Sequence, residues 1–555
     1  MKVFLQKNHR LLFYSCWVIL GLIQSRFTEL LDDEAYYWVY GRYLDWGYYD
    51  HPPMIGLLVK MGYAIFPNEL GVRLFPLLLN VLSLMIIEKL LEKKNPFLFY
   101  IIALSIAVLQ LSGFVAVPDI PLIFFTALFF FCYKRFASDY SWLSTFLLGV
   151  SVALLLYSKY HAVLIVFFVL LSNIKLFTKY QTYIAGLIAL LLFGPHLWWQ
   201  YQHDWISFRY HLFDSNVNAY KPSFTFNYII GQLLLPGPIA GFILLPAAFL
   251  YKAKSVSERA LKFTMIGIYA FFLLSSFRGK VEGNWTSPVL VPLMVLSHQY
   301  IYEKIKWQTL LYKLLPVTLF LVLVARIAMI VDIVPLKAIQ ERCHAWKHWP
   351  DTMRERTHNL PIIFSNSYQR ASKYWFYSGQ PTYSFNNYQV RGNNYNFWPI
   401  DDIMLGKPVY DLDKYDLWKF PDSLKTAIGW VGYKYDPAFV SFARIKAAII
   451  PKKVIARQND TILLKCNFSM PLNYADYIRS HPVLNDTSRI AVFSGREWVK
   501  DFFIPVTLLQ MTSSNEAVVK FVADLPKGNY YFRFATNCGN RSPVYNSDKI
   551  ALKIE

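Results

Sequence analysis

Three consecutive carboxylates, Asp32, Asp33 and Glu34, follow directly on the first long apolar segment of the chain. Acidic side chains so close to a membrane are energetically unfavourable and are usually retained for function. Aromatic residues, which favour the membrane–water interface, follow at Tyr36 and Tyr37. A carboxylate at such a place can take a proton from an attacking hydroxyl group. The cluster therefore predicts general-base chemistry at a membrane surface, with capping of the next helix as the alternative.

A second set of polar residues falls on the same predicted side of the membrane. Asp119, flanked by two prolines, is either a further acidic group of the site or a turn former. If the reaction releases a phosphate group, cations on this side would stabilise its negative charge. The alternative is that these basic loop residues simply contact lipid head groups. The candidates for contact with a phosphate or sugar are Tyr36, Tyr37, Arg42, Asp50, His51, Lys159, Lys280 and Glu282.

The composition indicates which elements must position these residues. Of 555 residues, 55% are hydrophobic and 18% aromatic, which is too apolar for a soluble protein of this length. The net charge of +20 is spread over short basic runs between apolar segments, a pattern typical of membrane topology rather than nucleic-acid binding. The five cysteines show no metal-ligand spacing, and the sequence leaves open whether a divalent metal is used.

Apolar segments long enough to cross a bilayer predict a polytopic α-helical protein with about eleven transmembrane helices. Basic residues cluster after alternate segments, on the side of the N-terminus, which predicts a cytoplasmic N-terminus. An odd number of spans then places the chain after Asp332 outside the cytoplasm. No small-residue cleavage site follows the first span, so we expect it to be uncleaved. The segments lie near 11–30, 70–88, 97–115, 119–135, 142–158, 160–176, 181–199, 226–250, 261–277, 284–302 and 309–331.

The remaining parts of the chain are shorter or more polar. The loop between Glu34 and Phe66 predicts one or two helices along the membrane interface, separated at Pro52-Pro53. We expect a transmembrane domain over 1–331, an extracytoplasmic α/β region over 332–436 and an extracytoplasmic β-rich module over 437–555. Cys466 and Cys538 both fall in that module, where a disulfide could form.

Four motifs carry a resemblance to a known family. Asp33-Glu34-Ala35-Tyr36-Tyr37-Trp38, Tyr49-Asp50-His51-Pro52-Pro53, Pro118-Asp119-Ile120-Pro121 and Ser158-Lys159-Tyr160 resemble those of bacterial protein-O-mannosyltransferase-like proteins. This is glycosyltransferase family 39, of the GT-C fold, which also includes the lipid A aminoarabinose transferases. The segment Lys280-Val281-Glu282-Gly283-Asn284-Trp285 resembles the same branch of the family, and the resemblance covers roughly residues 1–400. It implies an inverting transfer in which Asp33 is the base, with Glu34 beside it and Asp119 supporting the site.

Two departures from the family pattern bear on the substrate. The aminoarabinose transferases carry a lysine before the Pro-Pro pair, which meets the donor phosphate, and this chain has His51 there. They carry an arginine after Glu-Ala, where this chain has Tyr36. These differences argue against assigning aminoarabinose or lipid A specifically.

The sequence thus predicts a multi-pass inner (plasma) membrane glycosyltransferase acting outside the cytoplasm. The donor would be an undecaprenyl- or dolichyl-phosphate sugar, and the acceptor a hydroxyl of a protein, lipid A or another envelope glycan. The expected partners are this lipid-linked donor, membrane lipids and the acceptor protein or glycolipid, and no nucleic acid. A transporter or flippase of lipid-linked saccharides is the alternative, but such proteins usually show internal repeats, and we find none.

Overall fold

Apolar segments fold into α-helices throughout the first part of the chain in this computed structural model of the protein. The structure describes residues 2–214, 220–388, 390–414, 417, 420–482, 487–495, 497–538 and 541–555. The chain divides into two compact units, Met1–His344 and Ala345–Glu555. The first is helical and the second contains the β-strands. The predicted fold class, a polytopic helical protein with a C-terminal α/β and β-rich region, is confirmed.

The first unit contains long helices, short helices and a few tighter turns. Its α-helices are α1 (Lys2–Phe27), α2 (Asp32–Arg42), α3 (Met54–Ile65), α4 (Glu69–Leu90), α5 (Pro96–Ser105), α6 (Ala107–Leu111), α7 (Asp119–Asp139), α8 (Trp142–Ser158), α9 (Ala162–Ser172), α10 (Tyr180–Gln202), α11 (Ile206–Arg209), α12 (Pro222–Leu234), α13 (Ala240–Leu250), α14 (Val256–Ser275), α15 (Leu290–Tyr302), α16 (Ile305–Ile330) and α17 (Lys337–Cys343). Short 3-10 segments lie at Ile174–Thr178 and Gly283–Val289, and a π-helical turn at Tyr210–Asp214.

Each of the eleven predicted spans coincides with one helix or with two consecutive helical segments. Four described helices, α4, α7, α10 and α16, are long and apolar enough to cross a membrane. The bent pair of α1 and α2 would make a fifth. Other segments such as α9, with 11 residues, are shorter than the roughly 20 residues that a span needs. The protein is therefore multi-pass, and the number of eleven spans stays a prediction.

The segment between α1 and α4 forms two helices, as the sequence predicts. Helix α2 turns 88° away from α1, the direction expected of a helix at a membrane surface. Helix α3 begins just after Pro52-Pro53, where a proline is tolerated because the first N–H groups of a helix lack partners within it. Helices α3 and α4 pack closely, since a Cβ at Gly62 would lie 2.1 Å from the Gly71 carbonyl oxygen.

Helix α15 lies at the centre of the hydrophobic core of this unit. Nearly all its residues are buried, including polar Ser297, His298 and Gln299 near its end. A helix that is apolar on every side is expected to be surrounded by other helices. The 3-10 segment Gly283–Val289, which ends where α15 begins, is therefore attached to a fixed helix.

The second unit contains three β-sheets. Its strands are β1 (Ile362–Ser365), β2 (Tyr383–Phe385), β3 (Val409–Asp413), β4 (Asp422–Thr426), β5 (Gly429–Asp436), β6 (Lys446–Ile450), β7 (Lys453–Ala456), β8 (Thr461–Ser469), β9 (Ser488–Ser494), β10 (Glu497–Ile504), β11 (Glu516–Val522), β12 (Gly528–Cys538), β13 (Arg541–Tyr545) and β14 (Ile550–Ile554). The strand orders are β2-β1-β3-β5-β4, β11-β8-β6 and β10-β9-β12-β14-β7, with β13 paired to β12. The helices are α18 (Trp349–Thr357), α19 (Tyr368–Ser378), α20 (Leu472–Ser480) and α21 (Leu508–Ser513), with 3-10 turns at Asn394–Asn396 and Pro399–Ile403.

A buried arginine joins the first sheet of this unit to the strands that follow it. The guanidinium of Arg541, on β13, pairs with Asp411 on β3 and donates to Asp436 at the end of β5. Arg541 and Asp411 are almost fully buried, so the three charges compensate one another away from water. The contact ties residues on both sides of position 436 into one compact unit, and a domain boundary at that position stays a prediction.

Two cysteines in this unit bear on the disulfide that the sequence leaves open. Cys466 lies on β8 and is a buried, free cysteine. The side chain of Cys538 lies outside the described residues.

Candidate active site

The first turn of α2 is fixed by a buried ion pair between Glu34 and Arg73. The Arg73 guanidinium donates to both Glu34 carboxylate oxygens, at 2.8 and 2.5 Å, and neither side chain is exposed. It also donates to the carbonyl oxygens of Ser25, Thr28 and Glu29, at the end of α1 and just after it. These contacts use all five N–H donors of an arginine. The turn between α1 and α2 is therefore built around Arg73.

The hydrogen-bonding capacity of the Glu34 carboxylate is also fully used. Besides the two bonds from Arg73, its oxygens accept the backbone N–H groups of Leu31 and Ala116, each at 2.8 Å. A carboxylate has about four lone-pair sites, so Glu34 has none left for a substrate proton. Its bond to Ala116 instead fixes the loop that leads into α7.

Asp119, the first residue of α7, is the centre of a second buried cluster. Its Oδ1 accepts from Lys159 Nζ at 2.8 Å and from Ser287 Oγ at 2.7 Å, and its Oδ2 accepts from Asn284 Nδ2 at 2.9 Å. A carboxylate at a helix N-terminus is further stabilised by the helix dipole. The cluster thus holds together the start of α7, the junction of α8 with α9, and the 3-10 segment before α15.

The two carboxylate clusters are close neighbours. Glu34 binds the N–H of Ala116, and Asp119 follows Ala116 by three positions in the chain. Three residue steps span at most about 11 Å even when fully extended. Asp33, the exposed residue of the first turn of α2, and Asp119 therefore belong to one region of the structure.

The loop between α2 and α3 lies beside the region that contains Asp33 and Asp119. Residues at the end of α10 and just after it hold this loop in place. His196 contacts the Trp46 carbonyl at 2.7 Å, and Trp199 donates to Asp45 at 2.8 Å. Further along, Ser207 donates to the Tyr48 carbonyl at 2.6 Å. A Cβ at position 47 would overlap the Trp199 ring, which explains the glycine there.

Asp50 is held in this loop by contacts on two sides. Its carboxylate accepts from Tyr40 Oη at 2.5 Å, and its carbonyl contacts His211 Nε2 at 2.8 Å. Asp50 is buried, so these bonds compensate for its lost hydration. The residue next to it, His51, is consequently fixed in position.

Three histidines lie in the neighbourhood of Lys159. The His51 ring lies 6.5 Å from that of His211, and His161 follows Lys159 by two residues and packs on Trp285 at 5.5 Å. Lys159 and His51 are both close enough to His161 to interact with it electrostatically. The Nδ1 atoms of His51 and His161 are buried and have no hydrogen-bond partner among the described residues, so they are available to a ligand at this place.

Burial lowers the pKa of the His51 imidazole to about 4; Lys159 and His211 also lower this pKa, and the carboxylates of Asp50 and Asp119 partly oppose the shift. The side chain is therefore neutral at pH 7. This outcome differs from our expectation of His51 as one of the cations of the site. A neutral imidazole can still donate one N–H to a phosphate oxygen.

The other predicted residues occupy varied positions. Tyr36 and Tyr37 are buried, and the Tyr37 ring meets that of His51 at 5.6 Å. Arg42 is exposed and lies 5.1 Å above the Trp38 ring. Lys280 and Glu282 are exposed and pair with each other at 2.8 Å, so each compensates the other's charge.

Sequence reasoning missed several residues that complete the site. The roles of His161, Asn284, Ser287 and His211 were not predicted. Asn284 carried a signal, because it lies in the segment 280–285 that resembles the family. Arg73 is one of the cations that the sequence places on this side of the membrane, but its pairing with Glu34 was not predicted, because the partner of a single arginine in an apolar helix is known only from the structure.

No group of three or more His, Cys, Asp or Glu side chains among the described residues is arranged to hold a metal ion.

Comparison with known proteins agrees with the resemblance found in the sequence. Residues 50–199 match the family described as dolichyl-phosphate-mannose-protein mannosyltransferase. The chain is 23% identical over 314 residues to the lipid A galacturonosyltransferase RgtD of Rhizobium johnstonii. That alignment covers 53% of this chain and 64% of RgtD, which is less than two thirds of the relative.

Two solved structures share the fold. ArnT from Cupriavidus metallidurans in the apo state matches with a TM-score of 0.57 and 12% identity, covering 77% of this chain and 98% of ArnT. The same protein bound to undecaprenyl phosphate matches with a TM-score of 0.56 and 12% identity, covering 76% and 97%. The family resemblance and the GT-C fold predicted from the sequence are thereby confirmed.

Proposed function

We propose that this protein is an inner-membrane glycosyltransferase that moves a sugar from a polyprenyl-phosphate donor to a hydroxyl group of an envelope glycolipid. One observation carries the proposal. The buried clusters around Glu34 and Asp119 are neighbours in space, and the exposed Asp33 is adjacent to Glu34 in the chain. Undecaprenyl phosphate in a structure of the same fold and lipid A in the name of a relative support the substrate classes.

Asp33 is the proposed general base. It lies beside Glu34, whose four hydrogen bonds fix the first turn of α2, so the direction of the Asp33 backbone is set. Asp33 takes the proton of the acceptor hydroxyl as the oxygen attacks the anomeric carbon. The bond from that carbon to the phosphate oxygen breaks on the opposite side, so the configuration inverts and the polyprenyl phosphate leaves with the electron pair.

Lys159 is the proposed contact for the leaving phosphate. Its Nζ has three N–H donors, and one is used by Asp119. The other two, together with an N–H from neutral His51 and one from His161, can bind phosphate oxygens as negative charge develops. Asp119 keeps Lys159 charged and oriented, and Asn284 and Ser287 orient Asp119 in turn. Asp119 is thus a positioning residue in this mechanism.

The proposal includes an orientation of the chain in the membrane. Because basic residues follow alternate helices, we infer that the N-terminus lies in the cytoplasm. The site and the second unit then lie outside the cytoplasm. A protein acceptor in place of a glycolipid would require the same base and the same leaving group.

The test is a transfer assay with purified full-length protein in liposomes. Undecaprenyl-phosphate sugars with different sugar groups are offered with lipid A, and the products are identified by mass spectrometry. We expect one sugar to be transferred with loss of free hydroxyl on the acceptor. Movement of the labelled donor across the bilayer without any glycosylated product would show a flippase and overturn the proposal.

A further inference from the structure

The second unit carries an aromatic groove that the proposed mechanism does not use. Tyr410, Tyr433 and Tyr435 line it, on strands β3 and β5 of the first sheet. The pairing register places Tyr410 opposite Tyr435 and Tyr433 opposite Asp422, so all four side chains project from one face of the sheet. The ring centroids of Tyr410 and Tyr435 are 5.6 Å apart, and the ring planes are inclined at 62° in an edge-to-face arrangement. We call this feature the tyrosine groove.

Charged groups from the end of α18 and from β4 form the walls of the tyrosine groove. Glu355, Arg356, His358 and Asp422 line the groove beside the tyrosines. With histidine counted as neutral, two carboxylates and one guanidinium give these groups a net charge of −1. Planar carboxylates and guanidinium groups bind pairs of neighbouring donors or acceptors in a fixed geometry.

The lining restricts the class of ligand. Among the described residues no aliphatic side chain lines the groove, which disfavours an acyl or prenyl chain. The excess of carboxylates over guanidinium groups disfavours a strongly anionic ligand. Aromatic faces beside paired polar groups suit a sugar ring, which presents C–H groups on its faces and hydroxyl groups at its edge. The volume, about 490 Å³, lies within the range of about 300–1,000 Å³ for small-molecule sites.

We propose that the tyrosine groove binds a saccharide. Resting on the proposed function, this saccharide is the glycan part of the acceptor, so the groove holds the acceptor by its sugar while a hydroxyl is glycosylated in the membrane unit. The groove contributes to the Michaelis constant for the acceptor and leaves the chemical step unchanged.

The chain offers a matched pair of variants on one strand. Tyr435 and Trp430 both lie on β5 and are 54% and 53% exposed. Their positions differ by five residues, so they project from opposite faces of the sheet. Tyr435→Ala removes an aromatic ring from the groove, and Trp430→Ala removes an equally exposed ring from the other face.

Direct binding is measured first, with full-length protein in detergent and no donor. Chitobiose is the probe, and saturation transfer from the protein to its ring protons reports binding. We expect a signal from the unaltered protein, at least a tenfold weaker affinity for Tyr435→Ala, and an unchanged affinity for Trp430→Ala. Equal binding by all three proteins, or no binding of chitobiose and of the lipid A disaccharide alike, would overturn the proposal. Displacement of the probe by an extended peptide instead would assign the groove to a protein partner.

Transfer kinetics then separate this inference from the proposed function. We expect Tyr435→Ala to raise the acceptor KM about tenfold, with kcat and the donor KM unchanged. If chitobiose binds through Tyr435 but no sugar is ever transferred, the saccharide site stands and the proposed function fails. If sugar is transferred and the acceptor KM of Tyr435→Ala is normal, the groove has no part in acceptor binding and the inference fails.

Discussion

The guanidinium of Arg73 and the carboxylate of Glu34, 39 residues apart in the chain, form a pair with no solvent exposure on either side. Together the two side chains bind backbone groups from the end of α1, the start of α2 and the loop before α7. The proposed base Asp33 is attached to this fixed pair. Glu34 thus fixes the turn, and its exposed neighbour Asp33 stays the proposed base.

Glu34→Gln is expected to destabilise the membrane unit strongly. The change leaves the Arg73 charge buried without compensation, and breaking such a pair typically costs about 3–5 kcal/mol. Thermal unfolding of the protein in detergent should show a clearly lower Tm. Glu282→Gln, which alters an exposed pair, is the control and should leave the Tm unchanged. A normal Tm for Glu34→Gln would show that the pair does not hold the turn.

Asp33→Asn is expected to abolish sugar transfer while leaving the Tm unchanged. Loss of a general base typically slows a reaction by about 10²–10⁴-fold, and an exposed side chain contributes little to folding. Asp32→Asn, in the same helical turn, is the matched control and should retain most activity. Near-normal turnover by Asp33→Asn in the liposome assay would remove Asp33 from the mechanism.

Asp119→Asn is expected to reduce both activity and stability. The neutral amide no longer compensates Lys159, and it cannot accept from the lysine, Asn284 and Ser287 together. Ser287→Ala removes one of these bonds and should cost about 1 kcal/mol, with a milder loss of transfer. Rates and Tm values of both variants distinguish the cases. Equal effects of the two would indicate that the charge of Asp119 is unimportant.

The stability of the protein is expected to fall as the pH is lowered from 7 to 4.5, partly because of His51. Burial lowers its folded-state pKa to about 4, below the ordinary value of about 6.5. Between these values the unfolded chain binds more protons than the folded chain, so stability rises with pH through this window. The Tm difference between pH 7 and pH 5 should therefore be smaller in His51→Asn. An unchanged difference would show that His51 titrates normally in the folded protein.

Lys280→Ala is expected to change transfer less than twofold. Its ammonium group is exposed and pairs with Glu282, and such surface pairs contribute about 0–1 kcal/mol. Lys159→Ala, which removes the buried cation beside Asp119, should instead reduce kcat by at least a hundredfold. A large loss of transfer activity in Lys280→Ala would indicate that Lys280 does contact the donor phosphate.

The sequence alone was sufficient to predict the class of the fold. Hydrophobic length reports the preference of a segment for hydrocarbon, which depends on local composition, so the membrane helices and the two helices around Pro52-Pro53 were predictable. Because alternate loops share a membrane face, the sequence also predicts that Asp33, Asp119 and Lys159 lie on one side. In the structure Lys159 contacts Asp119 at 2.8 Å, and the site itself stays a prediction.

Only the tertiary structure decided the exposure, the hydrogen-bond partners and the charge of each of these groups. Asp33 and Glu34 are adjacent acids in the sequence, yet one is exposed and the other is saturated by Arg73 and Ala116. His51 is a potential cation in the sequence, and burial makes it neutral. Hydration and hydrogen-bond partners determine the charge and availability of a polar group, and both depend on residues that are distant in the chain.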